Sequence, residues 1–258
     1  MAARIDGFHL PPLPDARNDH APHPSSKNVN LSSLKAFIFD LDGTLVDSLT
    51  DLATAVNRML DDNGYPRVSI DIFPQHIGDG MKKLVERALP ADKRDSENAE
   101  RCAGEYLAHY EKCWHDATHV YEGMADVVAK LRARGVRLGV ISNKPHRFTV
   151  LCAEHFFPAG SFEVILGQRE GIPRKPDAAG GREIVERLGL EAAECAYIGD
   201  SGVDMEFGKA TGMRRIGALW GFRDRAELVA AGAEVLITHP SELLGETLSE
   251  LVVQSTEA

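Results

Sequence analysis

Hydrophobic positions along the chain form two kinds of pattern: short uninterrupted runs, and longer stretches spaced at helical intervals. Ala36-Phe37-Ile38-Phe39 is apolar without a break, as expected of a strand buried on both faces. Beyond it, Leu49, Leu52, Ala53, Val56, Met59 and Leu60 recur three and four apart and predict a helix stopping before Gly64 and Pro66. Met81, Leu84, Val85, Ala88 and Leu89 predict a second helix after Ile77-Gly78-Asp79-Gly80. Ala99, Cys102, Tyr106, Tyr110, Cys113 and Trp114 predict a third over roughly 95–116. Residues 49–119 therefore pass with helices and no convincing strand.

From Tyr121 strands and helices alternate. A helix over 124–134 stops at Gly135, followed by strand Val136–Ile141 and a helix opening near Pro145. Strand Glu163–Leu166, a helix near 178–188 and strand Cys195–Ile198 come next. Strand Arg214–Ala218, helix Arg225–Ala231, strand Glu234–Ile237 and a final helix from Pro240 to about Val253 complete the series. Such alternation predicts an α/β fold: a doubly wound, parallel-sheet, Rossmann-like core with a small α-helical domain inserted. The expected division is a core of 34–48 and 120–258, a helical insertion over 49–119, and an extension over 1–33. That extension has prolines at 11, 12, 14, 22 and 24 and no hydrophobic periodicity, and is expected to be flexible. Its histidines, His9, His20 and His23, are assigned no chemistry.

Composition narrows the function. Hydrophobic residues make up 43% and charged residues 26% of 258, ordinary for a globular protein. A formal net charge of −10 argues against nucleic acid as a partner, because backbone phosphates are held by Lys and Arg. No apolar run approaches the roughly 18 residues of a membrane span. Cys102, Cys113, Cys152 and Cys195 show no metal-ligand spacing and suit a reducing compartment. With no signal-peptide pattern near Arg4, a cytoplasmic location is expected.

The chemistry gathers at strand ends. Asp40 and Asp42, followed by Gly43 and Thr44, sit where the Ala36 strand ends, and open α/β sheets place their sites at carboxyl ends. Two aspartates so close repel each other unless a cation or a shared proton relieves them. Strand Val136–Ile141 ends in Ser142-Asn143-Lys144-Pro145 before a helix, a seat for a phosphate or a simple N-cap. Lys175 lies in the loop before the 178–188 helix. Gly199-Asp200-Ser201-Gly202-Val203-Asp204 follows another buried strand with two more carboxylates.

Asp-Leu-Asp-Gly-Thr-Leu-Val-Asp-Ser at 40–48, Ser142, Lys175 and Gly199-Asp200 with Asp204 occur in the order of the four motifs of the haloacid dehalogenase-like superfamily, which this chain resembles over roughly 34–245. The resemblance implies a Mg²⁺-dependent phosphomonoesterase acting through an aspartyl-phosphate. Asp40 would be the nucleophile, Asp42 the acid and then the base, and Lys175 would hold Asp40 ionised. Asp40, the backbone carbonyl of Asp42, and Asp200 would bind Mg²⁺, with Asp204 ligating directly or supporting the site. Ser142, with Thr44 and Asn143, would bind substrate, and Asp47 would belong to the turn into the first inserted helix.

The insertion occupies the place of the superfamily's small helical cap. Its segment from Ile77 to Leu89, with Ser142-Asn143-Lys144-Pro145 and Trp220-Gly221-Phe222-Arg223, resembles bacterial phosphoglycolate phosphatases. On that resemblance Gly78 and Gly80 admit backbone amides to a small anionic leaving group, and Lys82 or Arg87 could help neutralise it. The implied substrate is a small organic phosphate, foremost 2-phosphoglycolate, turned over by a monomer or homodimer. Glu122 and Ala178 stand where the family usually has proline. A β-phosphoglucomutase-like mutase would share the whole core. A dehalogenase would not need Asp42. A receiver-like phospho-switch would need neither Asp42 nor the insertion, and a scaffold would need none of Asp40, Asp42, Lys175 and Asp200.

Overall fold

The computed structural model describes residues 28–249. Its strands are β1 (Asn28–Asn30), β2 (Ala36–Phe39), β3 (Val46–Asp47), β4 (His119–Val120), β5 (Arg137–Pro145), β6 (Val164–Gln168), β7 (Cys195–Gly199), β8 (Arg214–Ala218), β9 (Val235–Ile237) and β10 (Thr247–Ser249). Its helices are α1 (Leu49–Asp62), α2 (Phe73–His76), α3 (Met81–Ala88), α4 (Ser96–Tyr110), α5 (Met124–Ala133), α6 (His146–Phe156), α7 (Ala179–Arg187), α8 (Gly202–Thr211) and α9 (Arg225–Ala230).

Six strands form one sheet in the order β6-β5-β2-β7-β8-β9, every neighbour parallel. β2 is central, and its four residues are all buried because both faces are covered. Period-two alternation divides them. Phe37 and Phe39 enter the cluster that holds Val127 and Leu131 of α5 and Cys152 and Ala153 of α6. Ala36 and Ile38 enter the opposite cluster with Ile184 of α7 and Phe207 of α8. This is the doubly wound α/β fold, and the carboxyl ends of β2, β5 and β7 open on one edge.

Helices α1 to α4 carry their own hydrophobic cluster, including Leu52, Val56, Met59, Phe73, Leu84, Val85, Cys102 and Tyr106. Phe148 of α6 belongs to it and meets Tyr110 edge-to-face at 5.0 Å. The two-stranded pair of β3 and β4 marks where the chain leaves and re-enters the sheet layer. Asp51 of α1 pins the return, accepting from the amides of Ala117 and Thr118 and from the Thr118 hydroxyl.

Three expectations change. The extension does not reach residue 33: β1 pairs antiparallel with β10, and Val29 and Leu31 are buried in the main core. Residues 1–27 lie outside the described residues. The final helix is a short 3₁₀ turn, Pro240–Leu244, followed after Gly245 by β10, since Leu248 is needed in the core and β1 needs a partner; residues 250–253 lie outside the described range. The third inserted helix stops at Tyr110 rather than near 116, because Asp51 draws the following segment away. Helix α8 enters the sequence reading only as the acidic helix start that Asp200 and Asp204 could mark; the structure gives it a reciprocal capping box, Ser201 with Asp204, before Met205 and Phe207. Among the described residues no helix is long and apolar enough to cross a membrane.

Candidate active site

The residues expected to carry chemistry meet at the carboxyl edge of the sheet. Asp40 directly follows β2, and its amide donates to the Ile198 carbonyl of β7 at 2.9 Å, so the two strand ends advance together. The register of β5 shifts between Ile141 and Pro145, and Ser142, Asn143 and Lys144 lie in that irregular stretch beside β2. Asp200 follows β7, Asp204 lies in the first turn of α8, and Lys175 arrives on the loop between β6 and α7.

Lys175 is the hub. Its ammonium lies 2.7 Å from Asp204 Oδ1, 3.0 Å from Asp40 Oδ1 and 2.8 Å from the Tyr197 hydroxyl. Burial alone would depress its pKa, but Asp204 and Asp40 outweigh that and raise it. The ion pair with Asp40 is not aligned as a hydrogen bond, and Asp40 Oδ1 is left buried without one. Burial pushes the Asp40 carboxyl up to about 6; Lys175 opposes that, while Asp204 and Asp42 add to it. Burial, with Asp204 and Asp40, also drives Asp200 well above the usual carboxylate range, against the pull of the Phe222 amide and the Thr44 hydroxyl.

Asp40, Asp200 and Asp204 offer carboxylate oxygens all within 4.8 Å of one another. Such a group of buried carboxylates is unfavourable alone and is relieved by a hard divalent cation with oxygen ligands. The donor set therefore fits a metal. Asp204 is already committed: Oδ1 to Lys175 and Tyr197, Oδ2 to the Ser201 amide and hydroxyl at 3.0 and 2.6 Å. That leaves Asp40 and Asp200 the freer ligands, with Asp204 behind them. Two glycines admit Asp200. A Cβ on Gly43 would lie 2.2 Å from Asp200 Oδ2, and one on Gly221 would lie 2.2 Å from Asp200 Cβ.

Asp42 faces the same space from the other side. Ser48 donates to its Oδ1 at 2.6 Å, and the Lys144 ammonium lies 2.8 and 3.1 Å from its two oxygens. Lys144 enters the sequence reading only as part of the Ser142–Pro145 run and is given no role there. Its side chain is only 3% exposed, and its ammonium lies 4.8 Å from the centre of the Tyr110 ring. Burial would lower its pKa; Asp42, with Cys152 and Tyr106, more than offsets that and raises it. The signal was the apolar run before it, which carries the strand end inward.

Asp40, Asp42, Ser142, Asn143 and Lys144 form the floor of a cavity roofed by Leu52, Ile77, Gly78, Gly80, Met81, Leu84 and Tyr106. The Ser142 hydroxyl accepts from the Lys144 amide at 3.3 Å and keeps its proton for a ligand. Gly80 lines the cavity with a φ of 86°.

Other expected site residues do different work. Thr44 is fully buried and donates to Asp200 Oδ1 at 3.1 Å, a brace for that carboxylate, and is not among the residues lining the cavity. Asn143 lines the cavity, but its amide is spent on backbone: it accepts from the Lys175 amide and donates to the carbonyls of Lys175 and Gly78. Lys82 pairs with Glu100 in the open, and Arg87 binds Asp79 and the His76 carbonyl, so neither reaches the cavity. Asp47 accepts from the Leu49 amide at the entry to α1. Trp220, Phe222 and Arg223 brace the edge: Trp220 donates to the Thr44 carbonyl and the Phe222 amide to Asp200 Oδ2.

A parallel α/β sheet with an aspartate pair at its central strand, a buried lysine beside it and a cavity above it is an arrangement suited to phosphoryl transfer. The comparisons agree. The chain belongs to the haloacid dehalogenase-like hydrolases, whose family model matches residues 37–218, and it is a phosphatase of that family. It is 35% identical to a phosphoglycolate phosphatase of Chromobacterium violaceum over 219 residues, covering 83% of this chain and 97% of that protein. It is 32% identical to one of Pseudomonas putida, covering 80% and 77%. A crystal structure from Lactobacillus delbrueckii subsp. bulgaricus, of a protein named only provisionally as a phosphoglycolate phosphatase, superposes with a TM-score of 0.76 at 30% identity, covering 81% of this chain and 96% of that one. A β-phosphoglucomutase from Clostridium difficile shares the fold at a TM-score of 0.68 and 17% identity, with 81% and 93% covered.

Proposed function

We propose that the protein hydrolyses 2-phosphoglycolate to glycolate and phosphate, through an aspartyl-phosphate on Asp40 and with Mg²⁺. The observation that carries this reading is the cavity. Asp40 and Asp42 share its floor, and the buried ammonium of Lys144 lines it beside Asp42. A buried cation beside the departing oxygen suits a leaving group that carries its own carboxylate, as glycolate does and a sugar does not.

Asp40 would attack phosphorus, and the glycolate oxygen would depart with the proton of Asp42. Asp42 would then take a proton from water, whose oxygen attacks the phosphorus of the aspartyl-phosphate and frees Asp40. Lys175, fixed by Asp204 and Tyr197, would favour the ionised Asp40 and offset charge on the phosphoryl oxygens. Ser142 would donate to one of those oxygens. Lys144 would orient Asp42 and meet the glycolate carboxylate, in place of Lys82 or Arg87. Asp40, the carbonyl of Asp42, and Asp200 would hold Mg²⁺, with Asp204 in support; bound there, the cation neutralises the phosphate dianion against the carboxylates. Residues 49–119 would act as a cap that excludes water and reads the leaving group, on a core of 34–48 and 120–249 extended by β1.

The test is phosphate release from 2-phosphoglycolate, sugar phosphates, nucleotides and pyrophosphate, each with Mg²⁺ and with chelator. A Mg²⁺-dependent preference for 2-phosphoglycolate is expected. Equal rates across the panel would remove the substrate assignment, and full activity in chelator would remove the cation.

A further inference from the structure

Three consecutive backbone carbonyls in the loop between α2 and α3 each accept from a different side chain of the sheet layer. Arg223 Nη2 donates to the Ile77 carbonyl at 2.8 Å, Asn143 Nδ2 to Gly78 at 2.9 Å, and Arg174 Nη1 to Asp79 at 2.9 Å. The preceding carbonyl belongs to the helical layer: His76 accepts from Arg87 of α3 at 3.1 Å, and Arg87 also holds the Asp79 carboxylate. The donors thus change layer between residues 76 and 77. From Ile77 to Asp79 the backbone carbonyls go to donors of the sheet layer, while the Ile77 amide, donating to the Phe73 carbonyl, and the Asp79 carboxylate, on Arg87, still tie the loop to the helices.

Each donor is a chain neighbour of a different part of the site. Asn143 follows Ser142. It also grips Lys175 by both backbone groups, accepting from its amide at 2.8 Å and donating to its carbonyl at 3.0 Å. Arg174 precedes Lys175, and it packs so closely on the loop that a Cβ at Gly80 would stand 2.9 Å from its Nη1. Arg223 follows Phe222, whose amide holds Asp200 Oδ2 at 2.7 Å. Arg223 is itself steadied by Glu227, which also accepts from the Gly202 amide at the start of α8. The loop in turn roofs the cavity through Ile77, Gly78 and Gly80.

We infer that Asn143, Arg174 and Arg223 form a clasp that makes seating of the 77–80 loop and alignment of the reacting groups a single event. When the loop docks, its carbonyls brace the Ser142 strand end, the Lys175 loop and the segment that holds Asp200. When it lifts, all three lose a brace together, and the two arginines regain water. Hydrolysis in an open, wet site is thereby discouraged. The three are positioning residues: they act on the loop and on their chain neighbours, and the role rests only on the site's being that of a phosphomonoesterase, whichever ester it takes.

The experiment pairs hydrogen exchange of the substrate-free full-length protein with steady-state kinetics, for the wild type, Arg174→Ala, Arg223→Ala and Arg174→Lys. Both 2-phosphoglycolate and p-nitrophenyl phosphate serve as substrates. Each alanine variant is expected to speed exchange about tenfold at the amides of Ile77 and Leu84, which donate to the Phe73 and Gly80 carbonyls at the two ends of the loop, the effect of losing one charge-assisted hydrogen bond, with the strand amides of 36–39 and 195–199 unchanged. kcat/KM is expected to fall about tenfold on both substrates, and Arg174→Lys to recover part of both effects. Unchanged exchange at Ile77 and Leu84 would overturn the clasp. So would faster exchange with undiminished kcat/KM, or a loss confined to 2-phosphoglycolate, which would make the arginine a carboxylate contact. Wild-type protein active on p-nitrophenyl phosphate and silent on 2-phosphoglycolate would sink the substrate reading and leave this test intact.

Discussion

Asp40 carries the proposed chemistry at the residue scale, and its proton affinity gives a prediction with a definite sign. Its carboxyl is raised from 3.8 to about 6 in the folded chain, so the folded state binds the proton more tightly than the unfolded state. For metal-free protein that contribution to stability is present below about pH 4 and is lost as pH rises through about 6. The loss is on the order of 3 kcal/mol. A cation on Asp40 reverses the balance, because it competes with the proton for the same oxygen. The rise in melting temperature caused by Mg²⁺ should therefore be small at pH 5 and larger at pH 7.5. An equal rise at both would show that Asp40 is not a ligand.

Gly221 offers a second residue-scale prediction. A Cβ there would meet Asp200 Cβ at 2.2 Å and the Gly43 carbonyl at 2.4 Å, both part of the site's framework. Gly221→Ala should displace Asp200, weaken Mg²⁺ binding and cut kcat by at least about tenfold, the size of one misplaced charge-stabilising group. Titration calorimetry with Mg²⁺ checks it; unaltered affinity would contradict the placement.

Among the elements, α8 ties the sheet to the site. Its first turn supplies Asp204, fully buried and shared between Lys175 and the Ser201 cap. Asp204→Ala should cost about 3–5 kcal/mol, because it removes one partner of a buried ion pair and leaves the other. Chemical denaturation measures that, and a loss under 1 kcal/mol would show that Lys175 finds other solvation. This helix is also where sequence reading fell short. Gly202, Gly208 and Gly212 break the apolar rhythm that marked α1 and α3, and only the Ser201-to-Asp204 cap remained as a signal. Strand β2, with four apolar residues and two covered faces, was legible to the residue. The terminal strand pair was not, because Pro240 and Leu243-Leu244 carry a helical spacing that only β1, far away in sequence, can override.

At the scale of the whole molecule, function depends on two layers that meet over a small space. The helical layer has its own hydrophobic cluster, and the sheet layer carries the charged groups. The order Asp40, Asp42, Ser142, Lys175, Asp200 was readable because each lies at a strand end or in a loop, where one motif reports one position. What Thr44, Asn143 and Lys144 do was not, since each was settled by a partner in another segment: Asp200, the Lys175 and Gly78 backbone, and Asp42. The Lys144 ammonium beside Asp42 predicts that glucose 6-phosphate has a kcat/KM at least about tenfold below that of 2-phosphoglycolate, since a sugar has no carboxylate to meet it. Parallel steady-state assays decide it, and equal values would mean that Lys144 does not read the leaving group.

The central claim is that Asp40 is the nucleophile of a phosphatase acting on 2-phosphoglycolate. The most direct measurement is phosphate release from that ester in Mg²⁺, wild type beside Asp40→Asn. Steady turnover by the wild type and none by the folded variant is the predicted result. Turnover by Asp40→Asn at the wild-type rate would contradict the account.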